Sequence, residues 1–222
     1  MLESSNSGLE PELSRHGYRF VKRVFDLSLS SVVLTVGLVP SLVLCAVIYA
    51  KSPGASPIYS QYRVGRLKKD GSYKVFKMYK FRSMRPGADA MLESLRDANE
   101  ADGPLFKIKD DPRVIPGVGT FIRKHSIDEL GQMLNVWLGD MSFIGPRPPF
   151  AREVLEYDEY HRRRLTVKPG CGGLWQTTVR SDGSFNEMVK LDHVYIEKSS
   201  AAYDLSLIAK TVKVVVTGKG AY

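Results

Sequence analysis

The sequence predicts a mixed α/β, mostly helical domain with one small β-hairpin, tethered by an N-terminal re-entrant helix–break–helix and by amphipathic helices lying at a membrane interface. Three observations carry that expectation. A long apolar run early in the chain is broken by Gly37 and Pro40, two β-rich runs flank Asp70-Gly71, and later segments repeat apolar residues at helical spacing behind Ser-x-x-Glu starts. The boundaries read from the chain are a polar N-terminal segment over 1–17, the broken membrane helix over 18–51, and one domain over 52–222.

Residues 24–50, "VFDLSLSSVVLTVGLVPSLVLCAVIYA", carry no charge after Asp26, and about 20 apolar residues suffice to cross a bilayer. A cleaved signal peptide is disfavoured, because a polar lead precedes the run. Pro40 lacks an N–H and frees the carbonyl of Val36, which predicts a sharp bend. The arms on either side would reach about 22 Å and about 16 Å, short of a hydrocarbon thickness of roughly 30 Å. Arg19, Lys22 and Arg23 flank one end, while Lys51, Arg63, Arg66, Lys68 and Lys69 follow the other. Both ends then prefer the cytoplasmic side, so the segment is expected to enter one leaflet and return. Thr35 or Ser41 is available to bond the backbone groups freed at the bend.

"PIYSQYRVGRLKKDGSYKVFKMYKFRSM" reads as a hairpin turning at Asp70-Gly71. "GADAMLESLRDANE" contains helix formers of mixed charge. In "FIRKHSIDELGQMLNVW", Ser126 and Glu129 have the spacing of a capping box, Ile127, Leu130, Leu134 and Trp137 recur at helical spacing, and Gly139 can end the helix. "DMSFIGPRPPF" gives a short extended run and a stiff turn in which Pro146 and Pro148 bracket Arg147 and hold its guanidinium in one direction. "AREVLEYDEYHRRRL" is a charged helix candidate and "VKPGCGGLWQ" a Gly-rich connection. "SFNEMVKLDHVYIEK" starts with a second Ser-x-x-Glu cap. "YDLSLIAKTVKVVV" aligns Leu205, Ile208, Val212 and Val215, a stripe suited either to core packing or to a membrane interface beside Lys210 and Lys213.

A net charge of +8 points to anionic partners. The basic residues do not interleave with aromatics as in a nucleic-acid module, so no nucleic-acid partner is expected. Cys45 and Cys171 are too few and too differently placed for a disulfide framework or a zinc site, and the four histidines show no ligand spacing. Asp128 and Glu129 are adjacent, about 100° apart on a helix, and cannot face each other as a glycosidase pair. At a helix start they would be ionised and able to bind a cation or attack an electrophile, but local physics alone favours simple capping, because Asp and Glu are commonplace in a first helical turn. Lys80, Arg82, Arg113, Arg123, Arg147 and Arg180 all sit beside turn or cap signals, where side chains can converge.

In order, "KRVFDLSLSSVVLTVGLVPSL", "YKFRSM", "KDDPRV", "FIRKHSIDELGQMLNVWLGDMSFIGPRP", "VKPGCGGLWQ" and "GKGAY" closely resemble the bacterial sugar transferases of the monotopic phosphoglycosyl transferase family. The match spans residues 18–222 and looks like the catalytic unit without the multi-span membrane domain of larger members. The resemblance implies an enzyme on the cytoplasmic face of the bacterial inner membrane. It would move a sugar 1-phosphate from a UDP-sugar to undecaprenyl phosphate, release UMP, and start exopolysaccharide, capsule or O-antigen synthesis. By the same resemblance Asp128 is the nucleophile of a covalent phosphosugar intermediate, and Glu129 helps with Mg2+ or a proton. Asp128 and Glu129 would hold that Mg2+, and Arg123, Arg147, Lys80, Arg82 and Arg180 would bind substrate. The C-terminal block resembles hexose-using members, which favours galactose or glucose. The family usually has Pro where this chain has Gly131, a change that removes stiffness from the turn holding the dyad. A homo-oligomer is compatible with these features. The competing reading is a non-catalytic membrane scaffold that binds anionic lipid or partner proteins through its basic face.

Overall fold

A computed structural model describes residues 15–100, 106, 108–179 and 183–217, with side chains through 212. The chain starts with two helices, α1 (His16–Val36) and α2 (Leu38–Lys51), bent by 59° at the residue between them. No single described helix is long and apolar enough to cross a membrane. The break falls at Gly37, three residues before Pro40, which lies inside the first turn of α2. That location follows from Pro40, whose missing N–H costs nothing in a first turn. A Cβ on residue 37 would lie 2.6 Å from the Val33 carbonyl oxygen, so the bend needs glycine for close approach. The Thr35 hydroxyl does not serve the bend; it donates back to the Ser31 carbonyl at 2.9 Å.

The hairpin forms as expected, with β1 (Ile58–Leu67) antiparallel to β2 (Tyr73–Phe81) and Tyr59 opposite Lys80. The next segment is only turns and an exposed 3-10 helix at Glu93–Ala98, because it offers no apolar face to bury. Two short helices follow, α3 (Val118–Lys124) and α4 (Gln132–Leu138), with Gly139 ending α4 in the left-handed conformation. Strand β3 (Ser142–Ile144) pairs in parallel with β4 (Gly170–Gly172), so the Gly-rich connection contributes a strand. Between them the charged helix candidate splits into α5 (Ala151–Leu155), α6 (Glu159–Arg162) and a 3-10 turn over Arg163–Thr166. The chain closes with α7 (Leu174–Thr178), α8 (Phe185–Lys198) and α9 (Ala201–Thr217). The cap on α8 forms as read, the Ser184 hydroxyl accepting from the Glu187 N–H at 3.1 Å.

Two apolar clusters position the site. Phe76 and Met78 of β2 pack on Met133 and Val136 of α4, and Phe81 packs with Ile48 of α2 and Ile122 of α3. Each such side chain contributes about 1.5–3 kcal/mol by leaving water. Polar bolts join α1 to the same body. The guanidinium of Arg23 donates to the Val136 and Trp137 carbonyls at the end of α4, at 2.7 and 2.8 Å. The buried Asp26 carboxylate accepts from the Ser142 hydroxyl and the Phe143 N–H at 2.9 and 3.1 Å.

Candidate active site

The corner between α3 and α4 carries the two carboxylates. α3 ends at Lys124, and Ser126 then takes a left-handed conformation at φ 54°, the one non-glycine positive φ among the described residues. A 3-10 turn over Ile127–Gly131 leads into α4. The expected capping box is absent: the Ser126 hydroxyl makes no capping bond, and its carbonyl accepts from the Glu129 N–H at 3.2 Å. The left-handed backbone turns the Ser126 side chain away from the helix start, and the Glu129 carboxylate is engaged elsewhere.

Its partner is Lys80. The ammonium of Lys80 lies 2.9 Å from Glu129 Oε1 and 3.8 Å from Asp128 Oδ2. The Asp128 side chain is only 14 % exposed. Burial, the largest influence, raises its pKa above the ordinary 3.8; Lys80 pulls it down, Glu129 pushes it up, and Arg123 pulls it down again. A partly desolvated carboxylate with cations nearby has the chemistry of a nucleophile or of a cation ligand. Lys80, Arg123, Asp128 and Glu129 therefore share one site. Gly131 stands against the same strand, since a Cβ there would sit 3.0 Å from both Lys80 Cα and the Tyr79 carbonyl oxygen. The glycine lets the corner close on β2.

Among the described residues no group of three or more His, Cys, Asp or Glu is placed to hold a metal. The donor set of two adjacent carboxylates still fits Mg2+, which takes one or two carboxylates and completes its shell with phosphates and water.

Arg147 belongs to a different polar cluster. Its guanidinium lies 3.3 Å from the buried Glu153 carboxylate, which also caps α5 by accepting from the Phe150 N–H at 3.1 Å. Arg63 lies flat on the Phe150 ring with its guanidinium carbon 3.3 Å from the centroid, and burial together with the Arg147 charge lowers its pKa to about 9. Below them the fully buried Arg164 contacts Asp192 at 2.6 Å and Tyr157 at 3.1 Å. No ion pair joins Arg147 to the dyad among the described residues. Arg82 has a buried guanidinium nitrogen without a hydrogen-bond partner among the described residues, and burial lowers its pKa. Arg113 is occupied by Asp111 at 2.6 Å. Arg180 and the whole of "GKGAY" lie outside the described residues. Sequence reasoning passed over Asn135, a fully buried amide on α4 bonded to β2; its signal was one polar residue inside the apolar run Leu134–Leu138.

Residues 17–218 match the family model described as bacterial sugar transferase. The galactosyl transferase CpsE of Streptococcus agalactiae is 39 % identical over 214 residues, covering 93 % of this chain and 44 % of that protein. The undecaprenyl-phosphate galactose phosphotransferase of Salmonella typhimurium is 37 % identical over 222 residues, covering 96 % and 44 %. The chain thus spans less than half the length of these two relatives. The exopolysaccharide production protein ExoY of Rhizobium meliloti is 36 % identical over 205 residues, covering 90 % of this chain and 88 % of its own. With its motif blocks, its carboxylate corner and this match over nearly the whole of its length, the chain belongs to the bacterial sugar transferase family.

Proposed function

We propose that the protein transfers a sugar 1-phosphate from a UDP-sugar to undecaprenyl phosphate at Asp128, initiating a bacterial surface polysaccharide. The observation that carries the reading is the partly buried Asp128 carboxylate with Lys80 at 3.8 Å and the Arg123 charge beside it. Relatives named for galactose transfer and for an undecaprenyl-phosphate acceptor support the substrate pair, with galactose or glucose as the hexose.

In the first step an Asp128 oxygen attacks the phosphorus that bears the sugar. The bond from that phosphorus to the bridging oxygen breaks, UMP leaves with the electron pair, and the sugar phosphate remains joined to Asp128 as an acyl phosphate. In the second step a phosphate oxygen of the polyprenol attacks the same phosphorus, frees the carboxylate and forms the diphosphate-linked product. Two steps suit one water-soluble and one lipid substrate sharing a site. Lys80 and Arg123 favour the ionised nucleophile and meet the donor's negative charge. Mg2+ held by Asp128 and Glu129 would neutralise the diphosphate and the departing UMP. Arg147, Arg82 and Arg180 remain substrate-binding assignments by resemblance.

The bent α1–α2 pair is read as a re-entrant anchor on the cytoplasmic face of the inner membrane, over residues 18–51, with the transferase domain over 52–222. UMP release from a panel of UDP-sugars with polyprenol phosphate tests the activity. No release with any donor would favour the membrane scaffold instead.

A further inference from the structure

The outer edge of β2 is closed by a side chain. Asn135 accepts from the Tyr79 N–H at Oδ1, 2.9 Å, and donates from Nδ2 to the Lys77 carbonyl at 2.6 Å. These are the donor and acceptor that a third strand would engage, two residues apart on one edge. The same amide lies 3.3 Å from Asp140, which pairs with Lys74 on the same strand at 2.6 Å. Lys80 follows Tyr79 directly, and Gly131 presses on the backbone of both. The dyad segment and the strand that carries Lys80 are therefore stitched at Asn135 and in contact at Gly131.

We propose that Asn135 is a positioning residue for the transfer reaction, holding β2 in the register that aims Lys80 at Asp128 and Glu129. The proposal rests on the transferase reading of the site. A lysine has a long flexible stem, so its ammonium stays near two carboxylates only if its Cα is held. A one-residue slip of β2 would send Lys80 to the opposite face. Only an amide supplies a donor and an acceptor together here; Asp in its place would face the Lys77 carbonyl and Asp140 with another acceptor.

A buried, satisfied Asn that serves stability alone would leave the chemistry of folded molecules unchanged, so coupling to Lys80 decides the matter. Sugar-phosphate adduct formation on the full chain is measured in single turnover, by intact mass, for the unaltered protein, Lys80→Ala, Asn135→Ala and the double variant. Asn135→Ala is expected to slow adduct formation by about 10²-fold, the loss that a misplacement of about 1 Å can cause. The double variant should be within about twofold of Lys80→Ala, and the loss in Asn135→Ala should appear in the rate of adduct formation at saturating donor rather than in the donor concentration needed for half-saturation. Multiplicative effects, or a loss confined to the donor concentration needed for half-saturation, would overturn the proposal. If Asn135→Ala fails to fold, Gly131→Ala probes the same seam without stranding polar groups, and its rate defect should likewise vanish in the Lys80→Ala background. No adduct in the unaltered protein would sink the transfer reading and this proposal together; adduct with uncoupled variants would sink only the role of Asn135.

Discussion

At the residue scale, the charge state of Asp128 sets two opposed expectations. Its pKa is raised above 3.8 in the folded chain, so the folded state binds more protons than the unfolded state between the two values. The ionised carboxylate therefore costs stability, a cost absent below about pH 3.8 and fully present once the pH has risen through the folded pKa. Asp128→Asn should abolish the adduct yet raise the Tm at neutral pH, with the gain disappearing in acid. A lower Tm at pH 7 would show that Asp128 is held for stability. Turnover of the unaltered protein should fail on acidification at a higher pH than an ordinary aspartate implies. Arg123→Ala should slow turnover by about 10²-fold or more without unfolding the chain, since one lost charge-stabilising donor commonly costs that much. Asp128 was legible as an ionisable residue at a helix start, and the ordered motifs singled it out. Its tie to Lys80 was not legible, because 48 residues separate the two in the chain and only the packing of α4 on β2 brings them together.

At the element scale, local signals worked where a short-range contact decides the outcome. The Asp70-Gly71 turn, the Ser184 cap and the stop at Gly139 involve neighbours within about four residues. The Ser126–Glu129 pattern has the same spacing as the Ser184–Glu187 cap and behaves differently, because Lys80 competes for Glu129 and Ser126 turns left-handed. Arg164 and Asp192 join the turn after α6 to α8 inside the protein, and neither position reads as buried in a charged stretch. Burial pushes the Asp192 carboxyl up to about 6 while Arg164 holds it charged at neutral pH. Asp192→Ala should cost about 3–5 kcal/mol in chemical denaturation, because it strands a buried guanidinium. Arg164→Met with Asp192→Leu should recover most of that loss; a single variant costing under about 1 kcal/mol would show that water already serves the pair.

For the whole molecule, the densest run of exposed apolar side chains among the described residues lies around the bend. Val36, Leu38, Val39, Leu42 and Val43 project from the bend between α1 and α2. On α4, Leu134 and Trp137 from the helical stripe are also 38 % and 44 % exposed, while Met133 and Val136 take the core. Leu205 and Val212 on α9 are exposed, with Leu207 fully buried on the other side. The run at the bend is what the re-entrant reading would place among lipid, and the net charge of +8 suits anionic headgroups. The re-entrant reading expects Arg15→Cys and Ala55→Cys to react with an impermeant thiol reagent from the same side of sealed vesicles. Opposite-side labelling would replace the re-entrant reading with a spanning one.

The family, the broken apolar segment and the hairpin were legible in the sequence, because each rests on composition, local spacing or ordered motif blocks. Tertiary structure alone decided which face of each amphipathic helix is buried, that the bend sits at Gly37, and that Arg147 joins a second ionic cluster. It also decided what "SIDE" does. Capping is a local bond that any helix start can make, whereas the ion pair of Glu129 with Lys80 needs a strand distant in the chain to be brought against the corner, and only packing supplies that.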